Sequence, residues 1–196
     1  MVVAKKPSDT AIARRRKEQV LEAAAECFRR EGFHRSSMAK ISAAAGMSSG
    51  HIYHYFASKE GIVEAIVERE RSELELLIEK SKESMQHADV VTAVVDITSQ
   101  SVTRYLDREN AVLNMEILAE VARNPSIADL VERHDQEVFQ EFYALLGNNS
   151  PETVSRCEIV SALLEGLSVR AVRNPHLNDT LDREMVRNII RHIITS

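Results

Sequence analysis

The sequence has 196 residues, of which 44% are hydrophobic and 28% are charged, so an ordinary globular protein is expected. Its apolar runs are much shorter than the roughly 20 residues that a membrane-spanning helix needs, and the first ten residues lack a signal-peptide core, which argues against any membrane partner and favours a cytoplasmic protein. The net charge of −5 is unevenly distributed, because residues 1–60 contain 11 Lys or Arg and 6 Asp or Glu, whereas residues 61–196 contain 14 and 24.

The N-terminal third is predicted to contain a flexible tail at residues 1–9 and then three helices. The first helix is long, carries apolar residues at helical spacing, and is ended by Gly32. Two short helices follow, and each is preceded by a serine, Ser37 or Ser48, whose hydroxyl can cap the free N–H groups of the first turn. Gly46 between them fits a left-handed turn. Two short helices joined by a glycine turn have the layout of a DNA-reading helix-turn-helix.

The rest of the chain is predicted to form a larger helical body. Helices are expected over residues 58–85, 90–106, 109–123, 125–146, 151–173 and 181–195, with breaks at 86–89 and 174–179. Asn124-Pro125 and Ser150-Pro151 each match a cap followed by proline in the first helical turn. Frequent β-branched residues near 90–98 leave a strand as the competing assignment there, although length favours a helix. The predicted fold is all-α with about nine helices, and its domains are a DNA-binding head at 10–57 and a body at 58–196.

The second short helix has the polar and aromatic surface expected of an element that contacts DNA. Ser49 and Gly50 lie in its first turn and Tyr53 follows one turn later, so these three are predicted to contact bases. A glycine in a helix costs about 1 kcal/mol against alanine, which close approach of the backbone to DNA would explain. Ser48, the cap of this helix, is also predicted to belong to the DNA-binding surface. Phosphate contacts are predicted for the polar residues around it: Ser37, His51, His54, Tyr55 and Lys59. Arg14 to Lys17 are expected to add unspecific counter-charge.

Residues 14–67 resemble the N-terminal DNA-binding domain of the TetR family of bacterial transcriptional regulators. The similarity covers FRREGF at the end of the first helix, then SMAKISAAAGMS, then HIYHYFASKEGIVEAI. Its specific part is a set of residues at a fixed spacing after the glycine turn: Tyr53, Phe56, Lys59 and Glu60. The C-terminal two thirds have only a general likeness to the family, being helical and of the expected length.

Two positions depart from the usual pattern of the family. Ser37 stands where threonine is usual and keeps a hydroxyl, so capping and phosphate contact are expected to persist. Ser42 stands where a small alanine is usual, which is tolerable if its hydroxyl bonds back to its own helix. Ser49 and His51 occupy variable positions, so the operator sequence does not transfer from a relative.

The resemblance implies a homodimer that binds a pseudo-palindromic operator in double-stranded DNA. It also implies that the C-terminal region binds a small molecule and forms the dimer. The last two helices have apolar residues on more than one side, which fits packing against a two-fold copy as a four-helix bundle, with one ordinary core as the alternative. The predicted interface residues are Val160, Leu163, Leu164, Gly166, Leu167, Ala171, Met185, Ile189, Ile190 and Ile193.

A pocket for the small-molecule effector is predicted among the middle helices, since aromatic and polarizable side chains with a few polar groups are the usual lining. The candidates are Leu77, Met85, Tyr105, Met115, Glu116, Leu118, Glu120, His134, Phe139, Phe142 and Tyr143. For each of them, core packing or a solvated helix face is the competing interpretation. The chain has no Trp, which argues against a very large aromatic cage.

The predicted function is a ligand-responsive transcriptional regulator, a repressor that a small molecule releases from its operator. One alternative is a DNA-binding protein controlled by a protein partner or without a ligand, and a remote alternative is an all-α enzyme. Ser37-x-x-Lys40 lacks the partner motifs of a serine nucleophile, and His51 with His54 lacks a third metal ligand. No catalytic residue, metal or cofactor is therefore predicted.

Overall fold

The computed structural model describes residues 7–84 and 89–196, and every regular element in these ranges is a helix. The helices α1 to α10 span Pro7–Glu31, Met38–Ala45, Ser49–Tyr55, Lys59–Ser84, Val90–Leu106, Arg108–Val121, Pro125–Leu146, Pro151–Arg173, Leu177–Thr180 and Arg183–Thr195. The all-α prediction is confirmed, and the β-branched stretch at 90–98 is helical. None of the helices in the described part of the chain has the length and apolar content needed to cross a membrane.

Two element assignments differ from the prediction. Helix α1 begins at Pro7, inside the segment assigned to a tail, and residues 1–6 of that tail lie outside the described ranges, as does most of the predicted break at 86–89. The predicted loop at 174–179 contains the start of the one-turn helix α9. This turn forms because Leu177 packs against the core of the body, and its carbonyl accepts a hydrogen bond of 2.9 Å from the Leu181 N–H.

Side-chain caps explain where most helices of the body begin. Asp89, Asp107 and Ser150 each accept a hydrogen bond from the backbone N–H three residues later, at 2.9 Å, 2.9 Å and 3.2 Å. The predicted Asn124 cap accepts from the Ser126 N–H at 3.1 Å, with Pro125 in the first turn of α7. The caps at Asn124 and Ser150, each followed by proline, made the starts of α7 and α8 predictable from the sequence.

The chain divides into two compact units, residues 1–67 and 68–196, and the division lies inside α4 rather than ahead of it at residue 57. The first turns of α4 belong to the first unit because Ile62, Val63 and Ile66 are at most 1% exposed and complete its small core. The predicted boundary at residue 57 was placed just before α4. It did not take into account that the apolar stripe of α4 continues across the division.

The first unit, which we call the head, is built on the long first helix plus the helix-turn-helix. Phe28 of α1, Ile41 of α2 and Ile52 of α3 are at most 1% exposed. Gln19 on α1 donates through Nε2 to the Ala45 carbonyl at 2.8 Å, which holds the end of α2 against α1. These contacts orient α3 so that its opposite side faces solvent.

The second unit, the body, has its main core between α5, α8 and α10. The buried residues of this cluster are Val94, Val95, Val102, Leu106, Val160, Leu164, Val186, Ile190 and Ile194. Because α8 and α10 each contribute one face to this core, only their remaining faces are available to a further partner.

Replacing Gly46 with alanine is expected to destabilise the head by about 1–2 kcal/mol, since this is the cost of a left-handed backbone for a residue with a Cβ. Gly46 has φ +62 at the end of α2, and an added Cβ there meets nothing within 4 Å, so backbone strain alone is tested. Gly61→Ala in α4 is the control, because its added Cβ lies 3.8 Å from Ser58 Oγ, an ordinary contact. Urea unfolding should show a loss of stability only for Gly46→Ala, and equal stability of the two variants would contradict the expectation.

Candidate functional site

The recognition surface is the exposed side of α3. Ile52 is 0% exposed and fixes the inner side of this helix in the head core, whereas Ser49, Gly50 and His54 lie on the outside. Tyr53 is 53% exposed, although burying its ring within the head would be favourable. The three residues predicted to contact bases are therefore together on one solvent-facing surface, and their contacts with DNA stay a prediction.

The start of α3 is held by Ser48 and His51. Ser48 Oγ accepts a hydrogen bond from the His51 backbone N–H at 3.4 Å and lies 3.2 Å from Nδ1 of the same residue. The ring of His51 is thus folded against the first turn of its own helix, with Nε2 as the nitrogen that remains for a phosphate. Farther along α3, His54 and Tyr55 lie edge to face with ring centroids 5.4 Å apart.

Ser37 is placed to cap α2 and to donate to a phosphate at the same time. Its Oγ accepts from the Lys40 backbone N–H at 3.2 Å, which leaves the hydroxyl proton for another acceptor. The nearby ammonium of Lys40 contacts the Glu31 carboxylate and the Arg35 carbonyl, and its hydrogen bond lowers the pKa of Glu31. The charge of Lys40 is therefore largely compensated within the head.

Lys59 has a structural role that the sequence did not reveal. Its Nζ donates to the Phe33 carbonyl at 2.6 Å and lies 4.0 Å from the centre of the Phe33 ring. The ammonium therefore ties the start of α4 to the segment between α1 and α2. The contact of Lys59 with a DNA phosphate stays a prediction. If it forms, the position of Lys59 is already fixed by Phe33.

The hydroxyl of Ser42 does not bond back to its own helix, contrary to the expectation. Ser42 is 5% exposed and donates forward to the Met47 carbonyl at 2.5 Å, across the turn at Gly46. Ser49 Oγ in turn donates to Ser42 Oγ at 3.2 Å. A side chain of the first turn of α3 is therefore coupled to α2 and to the turn between the two helices.

The first turns of α1 carry a basic surface. Arg14, Arg15, Arg16 and Lys17 are all exposed, as is Ile12 at 53%. The apolar residues of α1 that enter the head core begin only at Val20. The preceding part of the helix can thus face a phosphate backbone, which agrees with its predicted role as counter-charge.

The residues predicted to line the effector pocket differ in their burial and in their contacts. Phe139 and Tyr143 stack at 6.1 Å on α7, Glu120 is 4% exposed with its carboxylate 3.7 Å from Arg123, and His134 Nε2 lies 3.2 Å from the Glu68 carboxylate. Leu118 is 43% exposed and faces solvent, which contradicts its placement in an interior pocket. Met85 lies outside the described residues. The remaining candidates are half-buried, namely Leu77, Tyr105, Met115, Glu116 and Phe142.

Acidic groups from three helices of the body act on the half-buried Tyr105. Burial raises the pKa of the Tyr105 phenol, and the negative charge of Glu165 on α8 raises it further. Burial also raises the pKa of Asp135 on α7, with further contributions from the charges of Glu165 and Glu158, yet the Asp135 side chain is exposed. We call Glu70, Asp135 and Glu165, together with Tyr105, the acidic cluster.

The same acidic cluster includes an ion pair that the sequence analysis did not predict. Burial raises the pKa of Glu70 on α4, while Arg104 on α5, at 2.7 Å, lowers it. Neither Glu70 nor Asp135 was predicted, because a charged residue in a helical pattern usually lies on a solvated face. No pattern in a single sequence distinguishes a carboxylate that acts on Tyr105 from one on an open helix face.

The predicted dimer residues separate into two groups. Val160, Leu164, Ala171 and Ile190 are at most 8% exposed within a single chain, so they leave little surface for a second copy, and their contact with one stays a prediction. Three of these four belong to the core shared by α5, α8 and α10. The sequence did not separate the two groups because apolar residues surround most of α8, and periodicity alone does not distinguish the inner face from the outer one.

The outer faces of α8 and α10 nevertheless expose apolar surface. Met185 and Ile189 are 59% and 43% exposed, Gly166 is exposed, and Leu163, Leu167 and Ile193 are half-buried. Ile159 at 54% and Val169 at 40% extend this surface and were not predicted. Exposed apolar residues that cluster on adjacent helices are typical of an interaction surface.

The head has the defining geometry of a helix-turn-helix DNA-binding protein, since two capped helices meet at a left-handed glycine and the second one exposes a polar and aromatic face. The chain belongs to the TetR family. Residues 20–66 match the family described as bacterial regulatory proteins, tetR family. Residues 85–196 match the tetracyclin repressor-like C-terminal domain.

Individual relatives agree with this assignment. The chain is 30% identical over 127 residues to the HTH-type transcriptional regulator UidR of Escherichia coli strain K12, a match that covers 64% of this chain and 61% of UidR. Among solved structures, Salmonella enterica GusR has a TM-score of 0.74 at 23% identity, covering 92% of this chain and 96% of GusR. The transcriptional regulator FadR from Bacillus subtilis, solved in complex with stearoyl-CoA, has a TM-score of 0.69 at 17% identity, with 91% and 97% covered.

Proposed function

We propose that this protein is a homodimeric transcriptional regulator that represses from a palindromic operator and releases it when a small molecule binds the body. The observation that carries the proposal is the exposed face of α3, where Tyr53 is 53% exposed beside Ser49 and Gly50. Its position is fixed by the cap at Ser48 and by Ile52 in the core. A rigid element of this kind suits the major groove, because base contacts need side chains held at a defined position.

The outer faces of α8 and α10 are the proposed dimer interface. Their exposed apolar residues, including Ile159, Met185 and Ile189, would be buried by the same surface of a second copy in a two-fold arrangement. Such a dimer presents two copies of α3, and operators read by paired helices have half-sites spaced by about one helical turn of DNA.

Ligand control is proposed to act through α4, which begins in the head and ends in the body. Within the body, Arg104 of α5 pairs with Glu70 and Glu73 of α4 at 2.7 and 3.1 Å, and Arg71 of α4 contacts Glu137 of α7. A small molecule that binds beside Tyr105 would disturb the first of these pairs, because Glu70 and Arg104 both act on the Tyr105 phenol. The usual coupling of about 1–3 kcal/mol changes an affinity about 5–150-fold. The ligand in the Bacillus subtilis FadR structure supports a ligand-binding role for this fold.

The experiment that tests DNA binding is footprinting on the DNA upstream of the gene itself, followed by affinity measurements over a range of salt. A protected palindrome is expected, with an affinity that falls steeply as salt rises. The absence of any protected or salt-sensitive site there would count against the proposal. Adding candidate small molecules to the protected complex then tests release.

The double variant Arg14→Ala with Lys17→Ala is expected to weaken binding to the operator and to unrelated DNA by a similar factor. Both side chains are exposed on the first turns of α1, and unspecific counter-charge acts on any phosphate backbone. The slope of log affinity against log salt should become shallower by about 0.9 for each phosphate that the variant no longer neutralises. Arg108→Ala with Arg133→Ala, two exposed arginines of the body, is the control. An unchanged slope in the α1 variant would contradict this role.

A further inference from the structure

Three groups form a chain of hydrogen bonds at the start of the recognition helix. Ser49 Oγ lies 3.2 Å from Ser42 Oγ, which lies 2.5 Å from the Met47 carbonyl oxygen. Ser42 is 5% exposed, whereas Ser49 is exposed on the surface that faces the proposed operator. One end of the chain is therefore buried in the helix-turn-helix, and the other end is presented to DNA.

The direction of both hydrogen bonds follows from chemistry. A carbonyl oxygen can only accept, so the single proton of Ser42 must be donated to Met47. Ser42 Oγ then has only lone pairs left, so the single proton of Ser49 must be donated to Ser42. Because Ser42 is 5% exposed, water does not easily replace Met47 as its acceptor, and the Ser42 proton stays with that carbonyl. Turning the Ser49 hydroxyl away from Ser42 would give up one hydrogen bond, and this loss opposes donation from Ser49 to DNA.

We propose that Ser49 meets the operator only as a hydrogen-bond acceptor, and that Ser42 is the positioning residue that imposes this polarity. In the major groove, each base pair presents one amino donor, on adenine or on cytosine, whereas guanine and thymine have only acceptors among their hydrogen-bonding groups. Ser49 therefore selects adenine or cytosine over guanine or thymine at the base that it faces. The inference rests on the proposed DNA-binding function and adds to it a rule for one position in each half-site.

Ser42 is what makes this polarity specific to the present chain. With alanine at this position, the Ser49 hydroxyl could rotate and either donate or accept, and all four bases would be tolerated. A neutral hydrogen bond of ordinary strength corresponds to a preference of about two- to tenfold for the accepted bases. An effect of this size is readily measured as an enrichment ratio.

The test is selection of a random double-stranded DNA library by the full-length protein, with sequencing of the bound fraction. The wild type is expected to enrich a palindrome in which one position per half-site favours adenine and cytosine on one strand, the strand that Ser49 faces, and therefore thymine and guanine on the other. Ser49→Ala should flatten that position alone. Ser42→Ala should keep the palindrome but admit guanine and thymine there, while Ser49→Thr, which retains a hydroxyl, should keep the original preference.

The possible results separate the proposed DNA-binding function from the inference about Ser49. Failure of the wild type to enrich any sequence would overturn the proposed DNA-binding function together with the inference. An enriched palindrome in which Ser49→Ala changes no position would overturn the inference alone. So would one in which the position that it changes does not separate adenine and cytosine from guanine and thymine on either strand. So would a folded Ser42→Ala protein with an unchanged preference. Ser49 is exposed, so its variants remain informative even if Ser42→Ala does not fold.

Discussion

Tyr53→Ala should reduce operator binding to the level of unrelated DNA while the fold and the dimer persist. Tyr53 is 53% exposed, so its removal takes little from the head core, which depends instead on Ile52 and Phe28. In the proposed complex its ring lies against base edges in both half-sites. A base contact contributes about 1–3 kcal/mol, so the two copies together should lose about 2–6 kcal/mol, or roughly 30-fold and more in affinity.

Tyr53→Phe separates the two ways in which Tyr53 can contribute. If the ring packs on a thymine methyl group, phenylalanine should retain most of the affinity, whereas a contribution from a hydroxyl-to-phosphate bond would disappear equally in both variants. Gel-shift titration against operator and unrelated DNA gives the affinities, and thermal unfolding with analytical ultracentrifugation checks fold and dimer. Full operator affinity in Tyr53→Ala would remove α3 from its proposed role.

The features predictable from sequence were those set by neighbouring residues. The caps at Ser37 and Ser48 and the left-handed Gly46 all depend on hydrogen bonds or steric limits within a few residues. The same holds for the proline-marked starts of α7 and α8. Because these signals are local, the amino-acid sequence alone was sufficient to assign the helix-turn-helix and most helix boundaries.

The features that could not be predicted depend on contacts between distant residues. Lys59 lies against Phe33, 26 positions earlier, and nothing in the local pattern shows that its ammonium has a partner inside the head. Likewise, Ile190 is apolar and helical whether it faces the core or a second chain, and only the packed body shows that it is buried. The acidic cluster around Tyr105 is harder still to predict, since it joins charged groups from several helices.

Gly166→Leu is expected to break the dimer while leaving the single chain folded. Gly166 is exposed in the middle of α8, and an added Cβ meets nothing within 4 Å, so a larger side chain has room in the protomer. A glycine with no steric need in its own chain suggests close approach of a second one. Overpacking costs about 1–3 kcal/mol per site, so the two copies in a two-fold interface should lose about 2–6 kcal/mol of association energy.

Ala144→Leu is the matched control, because it also places leucine at an exposed helical position of the body, on α7 and outside the α8 and α10 faces. Sedimentation equilibrium should show monomers only for Gly166→Leu, and its operator affinity should fall as well, since a monomer holds a single recognition helix. Gly166→Ala adds a graded step: it should gain up to about 1 kcal/mol of helix stability within the chain. If the two α8 helices approach as closely as proposed, Gly166→Ala will also weaken dimer association. Unfolding stability would then rise while dimer affinity falls, and a role of Gly166 within one protomer alone would not produce this combination.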